Sequence, residues 1–283
     1  MSSILPSGTE VSAGDPSVGE SQQVPLDFIR QYTSDDGASV FLAALRAGMP
    51  FWRPLLSVSL AKKLATSPAL AREFFCVVLS LENVSIAEEA VRGVLAKLPT
   101  EERPEIFSSS AFLDGSSAFH TAMLIAHARD GNWSTSFPKT QPVNRYAAEM
   151  LIRVALENKA KTTQKVVYKM TLGGVDKVSP LVSCMIERNA GAARAYVDLG
   201  HKFGRIEYSK VLEALSKNDF HSVELMDVVL ECVDVDRTQL DHALKLWSHR
   251  PEVATAFNAA LSRKAIAGVI AGCRNSVRTP GRP

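Results

Sequence analysis

The side chain best placed for acid–base chemistry in this sequence is His120, which follows Ser117 by three residues and Asp114 by six. An imidazole beside a hydroxyl and a carboxylate can act as a general base, because it takes up a proton near neutral pH. The alternative is a structural role, in which the histidine bonds neighbouring groups and fixes the local fold. Spacing alone leaves both roles open.

A second candidate is the pairing of a thiol with a base. Cys184 and His201 could form a nucleophile and its base if the fold brought them together. The four cysteines, Cys76, Cys184, Cys232 and Cys273, are widely spaced and include no Cys-x-x-Cys pair. Neither a zinc site nor a disulfide framework is therefore predicted. Packing in the core is the favoured role for Cys184, and this cysteine usage fits a reducing compartment.

Other polar clusters lack the spacing of a metal or catalytic site. His242 and His249 share a predicted helix with Asp241, but two turns separate the two histidines, whereas zinc-binding pairs are one turn apart. The acidic pairs Glu88-Glu89 and Glu101-Glu102 have the pattern of exposed helix faces and helix starts. The sequence contains no His-Glu-x-x-His, Walker or Gly-x-Ser-x-Gly motif. No catalytic residue, metal site or cofactor is predicted.

Length and composition predict a globular chain that binds neither nucleic acid nor a membrane. The 283 residues are 46% hydrophobic and 22% charged, which is enough for a substantial core. The formal charge is only +2, which is too small to attract nucleic acid or an anionic membrane. The longest apolar runs, such as 74–79 and 265–271, are far shorter than the roughly 20 residues of a membrane span.

The elements that must position these side chains are helices. Apolar residues recur at helical spacing from Val24 onward, with almost no alternating β pattern, so the chain is predicted to be all-α. Ser67 and Pro68 have the order of an N-cap and a first helical residue. Another helix is predicted over 85–98, with Ser85 as its cap. A third is predicted over 144–158, and its buried stripe comprises Tyr146, Met150, Leu151, Val154 and Ala155.

Three further segments depart from helical spacing. Residues 128–143 form a long turn-rich loop, and loops of that length inside a compact domain are often functional. Residues 1–25 contain six serines and three prolines but no lysine or arginine, which predicts a disordered segment rather than a Sec signal peptide. Residues 273–283 are predicted to be a flexible basic tail. The folded domain is accordingly assigned to residues 26–272.

The run from Ser179 to Gly200 has the order of one helical repeat. Ser179-Pro180 can cap and open a first helix, Leu181 takes a buried position, and Gly200 can end a second helix in the left-handed conformation. The apolar pairs of the second helix are Ala192-Ala193 and Tyr196-Val197.

This order resembles an ankyrin repeat, whose period is about 33 residues. Val182 stands where the family has histidine, Arg188 stands where it has the glycine of the helix–helix turn, and Asp-Gly hairpin turns are scarce. The sequence therefore supports the helices of the family pattern more than its β-hairpins. Weaker matches to the pattern are Gly115–Met123, Gly37–Ala44, Ser209–Leu230 and Thr238–Phe257.

The resemblance implies an ankyrin-like helical-repeat solenoid that acts as a protein–protein interaction scaffold. It also implies that His120 bonds backbone at a turn, as histidines in this position of the family do. Partner-binding residues are expected in the long loop and at the tips of the repeats, because aromatic and arginine side chains are common interface anchors. They are Trp133, Phe137, Lys139 and Arg145 in and beside the loop, and Lys177, Lys202, Phe203 and Arg237 at the tips.

Residues 1–25 are similar to the N-terminal export segments of bacterial type III effectors, which are rich in serine, poor in positive charge and have an early aliphatic residue such as Ile4 or Leu5. The whole chain therefore resembles an ankyrin-type effector secreted into a host cell, where its partner would be a host protein. Two alternatives stay open. One is an effector enzyme on a helical fold without a recognisable motif, and the other is a cytoplasmic regulatory protein with HEAT-like helical repeats.

Overall fold

A computed structural model describes the chain over most of its middle part, and its helices agree with the predicted all-α class. Beyond the continuous ranges it describes residue 112 and, between 207 and 263, single positions and short runs. The predictions for 1–25, for 273–283 and for most of the units at 209–230 and 238–257 lie outside the described residues. The continuous described ranges are 37–108, 115–128, 142–163, 165–169 and 175–204.

Between residues 37 and 204, the described residues form ten helices and one two-stranded antiparallel hairpin. The strands pair in the register Val166↔Val178 to Lys169↔Val175. In chain order the elements are α1 (Gly37–Arg46), α2 (Trp52–Leu55), α3 (Val58–Thr66), α4 (Pro68–Ser80), α5 (Val84–Lys97), α6 (Arg103–Ser108), α7 (Ala118–Ala126), α8 (Arg145–Glu157), β1 (Val166–Lys169), β2 (Val175–Val178), α9 (Pro180–Ile186) and α10 (Ala190–Asp198).

Side-chain caps determine where most of these helices begin. Ser67 and Ser179 each accept a backbone N–H of the following helix, which has proline in its first turn, as the sequence predicts. The predicted cap Ser85 is wrong, because the Asn83 side chain accepts the N–H groups of Ser85 and Ile86. Asparagine is as good an N-cap as serine, so the cap of α5 lies two residues earlier than predicted.

Helices α1–α6 form a first region, residues 37–108, with an aromatic core. The Phe41 ring centroid lies 6.2 Å from those of both Trp52 and Phe74, and the Phe74 and Phe75 centroids are 5.2 Å apart. Phe75 in turn lies 6.1 Å from Phe107 of α6. These rings bury large apolar surfaces, and burial of that kind is the main source of stability in such a core.

Helices α7–α10 and the hairpin form a second region, the described residues from 115 to 204. It contains two helix pairs, α7 with α8 and α9 with α10, and the hairpin lies between the pairs in the chain. All nine residues of α7 are buried, so this helix is the centre of the region. The Asn189 side chain joins the pairs, because its amide donates to the Leu124 carbonyl at 2.8 Å while its oxygen caps α10.

Two left-handed residues shape the second helix pair. Arg188 has φ of 58° in the turn between α9 and α10, and Gly200 has φ of 86° just beyond α10. A glycine pays no steric cost in this conformation, whereas arginine does. The turn nevertheless adopts the left-handed conformation with arginine in this position. The helix end at Gly200 is as predicted.

A ring of ion pairs on the surface connects the two regions. Glu88 of α5 contacts Arg92 and Arg153, each at 2.8 Å, and Glu157 of α8 contacts the same two arginines at 2.9 and 3.7 Å. Because these pairs are exposed, the ring should add little to stability. Among the described residues, no helix is long and apolar enough to cross a membrane.

Candidate partner-binding site

A buried imidazole joins the two helix pairs of the second region. His120 on α7 has Nδ1 at 2.9 Å from the Tyr196 hydroxyl of α10 and Nε2 at 3.1 Å from the Ser183 hydroxyl of α9. Ser117 is engaged elsewhere, because its hydroxyl accepts the backbone N–H of His120 at 3.1 Å as the cap of α7. The second proposed neighbour of the imidazole, Asp114, lies outside the described residues.

This arrangement assigns a structural role to His120. Its side chain and that of Tyr196 are almost completely buried, and Ser183 is only 7% exposed, so a substrate could reach the imidazole only if the helices separated. A neutral imidazole satisfies both hydroxyls, since one ring nitrogen donates and the other accepts. Burial raises the pKa of the Tyr196 phenol, which keeps its proton available for this network.

Cys184 and His201 do not form the thiol and base pair considered above. Cys184 is fully buried, and burial raises the pKa of its thiol well above its ordinary value, which disfavours the nucleophilic thiolate. The His201 imidazole instead has Nε2 at 2.9 Å from the Thr162 hydroxyl, and its ring lies 5.0 Å from that of Tyr196. Cys184 is a core residue, as expected.

The acidic pair Glu88-Glu89 is divided among ion pairs. Glu88 belongs to the ring described above, and Glu89 forms a bidentate pair with Arg53, with the shorter contact at 2.5 Å. The arginines lower the pKa of both carboxyl groups, so neither is poised as a general acid. Among the residues that the structure describes, no three His, Cys, Asp or Glu side chains could hold a metal ion together.

A cleft of about 350 Å³ opens where α10 begins beside the end of α7. A Cβ atom at Gly191 would lie 2.7 Å from the His127 carbonyl oxygen, so glycine at this position allows α10 to approach the end of α7. The cleft is within the size range of ligand sites in proteins. Its lining includes His127, Gly191, Arg194, Asp198, Asp227 and Val228.

Charges of both signs surround the imidazole of His127. Burial lowers the pKa of His127, and the nearby guanidinium of Arg145 lowers it further, whereas Glu149 and Asp198 oppose this shift. The imidazole is therefore neutral at pH 7 and can both donate and accept a hydrogen bond. Because the cleft also contains Arg194, it is suited to a polar surface that carries both charges rather than to a single ion.

The predicted partner-binding residues are only partly brought together. Arg145, the first residue of α8, is exposed and acts on His127, so it belongs to the surface around the cleft. Lys177 on β2 and Lys202 after α10 are exposed but do not line the cleft, and Phe203 is half-buried against the core. The other four predicted residues, Trp133, Phe137, Lys139 and Arg237, lie outside the described residues.

Tyr146 is a candidate partner-binding residue that the sequence pattern places, wrongly, in the core. It was expected on the buried stripe of α8, but the structure leaves it 71% exposed beside Arg145. The inward stripe begins at Ala147 and continues through Leu151 and Val154, and Tyr146 precedes it by about 100° of helical rotation. An exposed tyrosine next to an arginine has the composition of an interface anchor.

The cleft itself has no counterpart among the sequence patterns. His127 and Arg194 come from helices that are distant in the chain, and neither belongs to a motif. The one local signal was Gly191, a glycine in the first turn of a helix, where close approach of another backbone is a common reason.

Comparison with known proteins identifies no relative. No protein-family model matches the chain, and neither a curated protein nor a solved structure is significantly similar to it. The class of the protein therefore rests on its own features, which are an all-α fold, a closed polar core and an open cleft of mixed charge.

Proposed function

We propose that this protein is a protein–protein interaction scaffold that binds its partner at the cleft around His127. The observation that carries the proposal is the mixed-charge cleft, where the Arg145 guanidinium at the start of α8 is close enough to His127 to lower its pKa. The exposed Tyr146 follows Arg145 in the chain. Tyrosine and arginine are enriched among residues that dominate binding energy, and complementary charge adds specificity.

The scaffold that we propose is ankyrin-like. In support, α7 and α9 each begin after a serine N-cap, each is followed by a longer helix packed against it, and the β1–β2 hairpin separates the two pairs. The left-handed turn at Arg188 lies where the family pattern has glycine. A hairpin between helix pairs also agrees with that pattern, although the sequence itself gave it little support.

The proposal extends to delivery of the chain into a host cell as a bacterial effector. Its support is the composition of residues 1–25, which are rich in serine and lack lysine and arginine. The test is secretion of the intact chain and of a variant without residues 1–25 from a strain with a type III apparatus. Export that depends on these residues is expected, and export that is unchanged by the deletion, or absent for the intact chain, contradicts this part of the proposal.

Site-specific photo-crosslinking tests the binding surface. We expect a photoreactive amino acid at Tyr146 to capture a discrete partner from host extract, and the same amino acid at Val58 to capture none. Val58 is a matched control because it is also exposed, at 51%, but belongs to α3 in the first region. The further change Arg194→Glu, which reverses a charge in the cleft, should reduce the yield of crosslinked partner from position 146. Equal capture from both positions would contradict the assignment of the surface.

A further inference from the structure

A second cavity lies in the first region, and it shares no lining residue with the cleft at His127. It has a volume of about 530 Å³ and opens where α1 and α4 end and α5 begins. This volume is within the range of small-ligand and peptide sites. The start of α8 lies near both cavities, because the Asn144 amide donates to the carbonyls of Leu81 and Glu82 while Arg145 acts on His127. The two cavities are therefore distinguished by variants of their own lining residues.

The walls of this second cavity are largely aliphatic. Val77 and Leu81 are buried at its base, and Ile86 and Pro142 complete the apolar lining. Met49 follows the lining residue Gly48 and is 45% exposed. Because Val77, Leu81, Ile86 and Pro142 line it, the cavity suits an aliphatic side chain of a ligand.

Two unlike charges stand at the rim of the same cavity. Arg46 and Glu82 both line it, both are exposed, and neither forms an ion pair with a described residue. The nearby acidic residues of α5 differ in this respect, since Glu88 and Glu89 are both held by arginines. The rim can therefore offer one positive and one negative group to a ligand without first breaking an internal ion pair.

Helix ends of both polarities lie at this cavity. The C-terminal ends of α1 and α4 both lie at the cavity, and each carries a partial negative charge from its last carbonyl groups. The end of α1 also carries the Arg46 guanidinium, and the N-terminal end of α5 contributes a partial positive charge at Asn83. The helix ends therefore favour neither sign of charge, and the preference rests on the Arg46 and Glu82 side chains.

We propose that this cavity binds a short peptide segment of a partner protein in which aliphatic residues separate an acidic residue from a basic one. The aliphatic side chain enters between Val77 and Ile86, the basic group contacts Glu82, and the acidic group contacts Arg46. The site recognises the pairing of the two charges around an apolar centre, so a segment with two like charges is rejected.

Fluorescence anisotropy with labelled tetrapeptides tests this proposal on the full chain. Two probes contain aspartate, two leucines and lysine, one in that order and one in the reverse order, because the cavity does not define the direction of the segment. Two control peptides replace the charged ends with two lysines or with two glutamates. We expect one mixed-charge probe to bind with a dissociation constant below about 1 mM and both controls to bind at least about tenfold more weakly.

Charge reversal at the rim provides the specificity test. Glu82→Lys should weaken the mixed-charge probe about tenfold and improve binding of the peptide with two glutamates, since the attraction at one end has changed sign. The matched control Glu101→Lys makes the same change in net charge at an exposed position away from the cavity. The change Arg194→Glu in the other cleft should leave peptide binding unchanged, which separates this site from the proposed scaffold function.

Three results would overturn the proposal. The first is failure of both mixed-charge probes to bind at about 1 mM. The second is equal binding of mixed and like-charge peptides, and the third is an equal effect of Glu82→Lys and Glu101→Lys. Circular dichroism of each variant shows whether it is folded, and the conservative change Arg46→Gln gives an independent measure at the opposite end of the site.

Discussion

The two regions of this protein differ in the polarity of their buried side chains. The core of residues 37–108 is built from aromatic and aliphatic side chains, with Ser108 as its only buried polar residue among those described. The core of the described residues from 115 to 204 contains, in addition to its apolar residues, a group of polar side chains. These are Ser116, Ser117, His120, Thr121, Ser183 and Asn189.

The difference shows how the two cores specify structure. Apolar packing tolerates substitutions of similar volume, because dispersion and burial are not strongly directional. A hydrogen bond between helices requires a particular distance and angle, and a buried group that loses its partner is costly. The second region therefore holds its helix pairs in one register through His120 and Asn189, whereas the first region depends on volume.

The largest expected effect is the introduction of a charge into the polar core. Leu181→Asp places a carboxylate in α9 at a position with no exposed surface, and a buried unpaired charge costs several kcal/mol. The free energy of unfolding should fall by more than about 4 kcal/mol in urea denaturation. The control Leu199→Asp, 39% exposed after α10, should change it by less than about 0.5 kcal/mol. Similar values for the two variants would contradict the burial of α9.

A cavity in the aromatic core should have the next largest effect. Phe74→Ala removes a ring that packs against Phe41 and Phe75, and such truncations cost about 3–5 kcal/mol. Phe74→Leu retains most of the volume and should cost clearly less. If the two variants were equally unstable in urea denaturation, the first region would depend on specific geometry, and the contrast between the regions would fail.

Acid should act on the second region before the first. Burial lowers the pKa of His127 and of His201 below the ordinary value of 6.5, and the first region contains no histidine. The unfolded chain therefore binds more protons than the folded chain as the pH falls through 6.5, so stability is present above that pH and declines below it. Glu88 and Glu89, whose pKa is lowered from 4.5, lose their contribution only at lower pH.

Thermal unfolding between pH 7 and pH 5 measures this effect. The unfolding temperature of the wild type should fall across this range, and that of the double variant His127→Gln, His201→Gln should fall less. Hydrogen exchange, corrected for the intrinsic rate at each pH, should show the loss of protection in α7 and α10 rather than in α4. An identical pH dependence for wild type and variant would exclude the two histidines as its cause.

The smallest expected effect concerns the ion-pair ring between α5 and α8. Glu88→Gln removes the carboxylate that contacts both Arg92 and Arg153, and exposed pairs contribute about 0.2–1 kcal/mol. The loss should shrink at high ionic strength, because exposed charges are screened. Urea denaturation at low and high salt measures it, with Glu101→Gln as the control. A loss well above about 1 kcal/mol would show that the ring governs the contact between the regions.

The sequence predicted the parts of the fold that depend on neighbouring residues. The caps at Ser67 and Ser179, the helix class and the left-handed end at Gly200 each follow from a few adjacent side chains. The exposure of Tyr146 was missed because the phase of a helical stripe shifts by 100° with one residue. The β1–β2 hairpin was missed because its strands have only four residues each, which is too short for a clear alternating pattern, although Gly173-Gly174 between them is a turn signal.

The cleft and the polar core could not be derived in the same way. The contact of His120 with Tyr196 joins residues that are 76 positions apart, and the cleft at His127 depends on the approach of α10. No local pattern encodes such pairs. Only the candidate role of His120 could be stated in advance, and the partners of its imidazole came from the fold.

A double-mutant cycle between His120 and Tyr196 tests most directly whether the imidazole locks the two helix pairs together. The cycle uses His120→Leu, Tyr196→Phe and the double variant, with the free energy of unfolding measured in urea. Because the two side chains are within hydrogen-bond distance in a buried site, we predict a coupling energy of at least about 1 kcal/mol. Additive effects, within about 0.3 kcal/mol, would contradict the account.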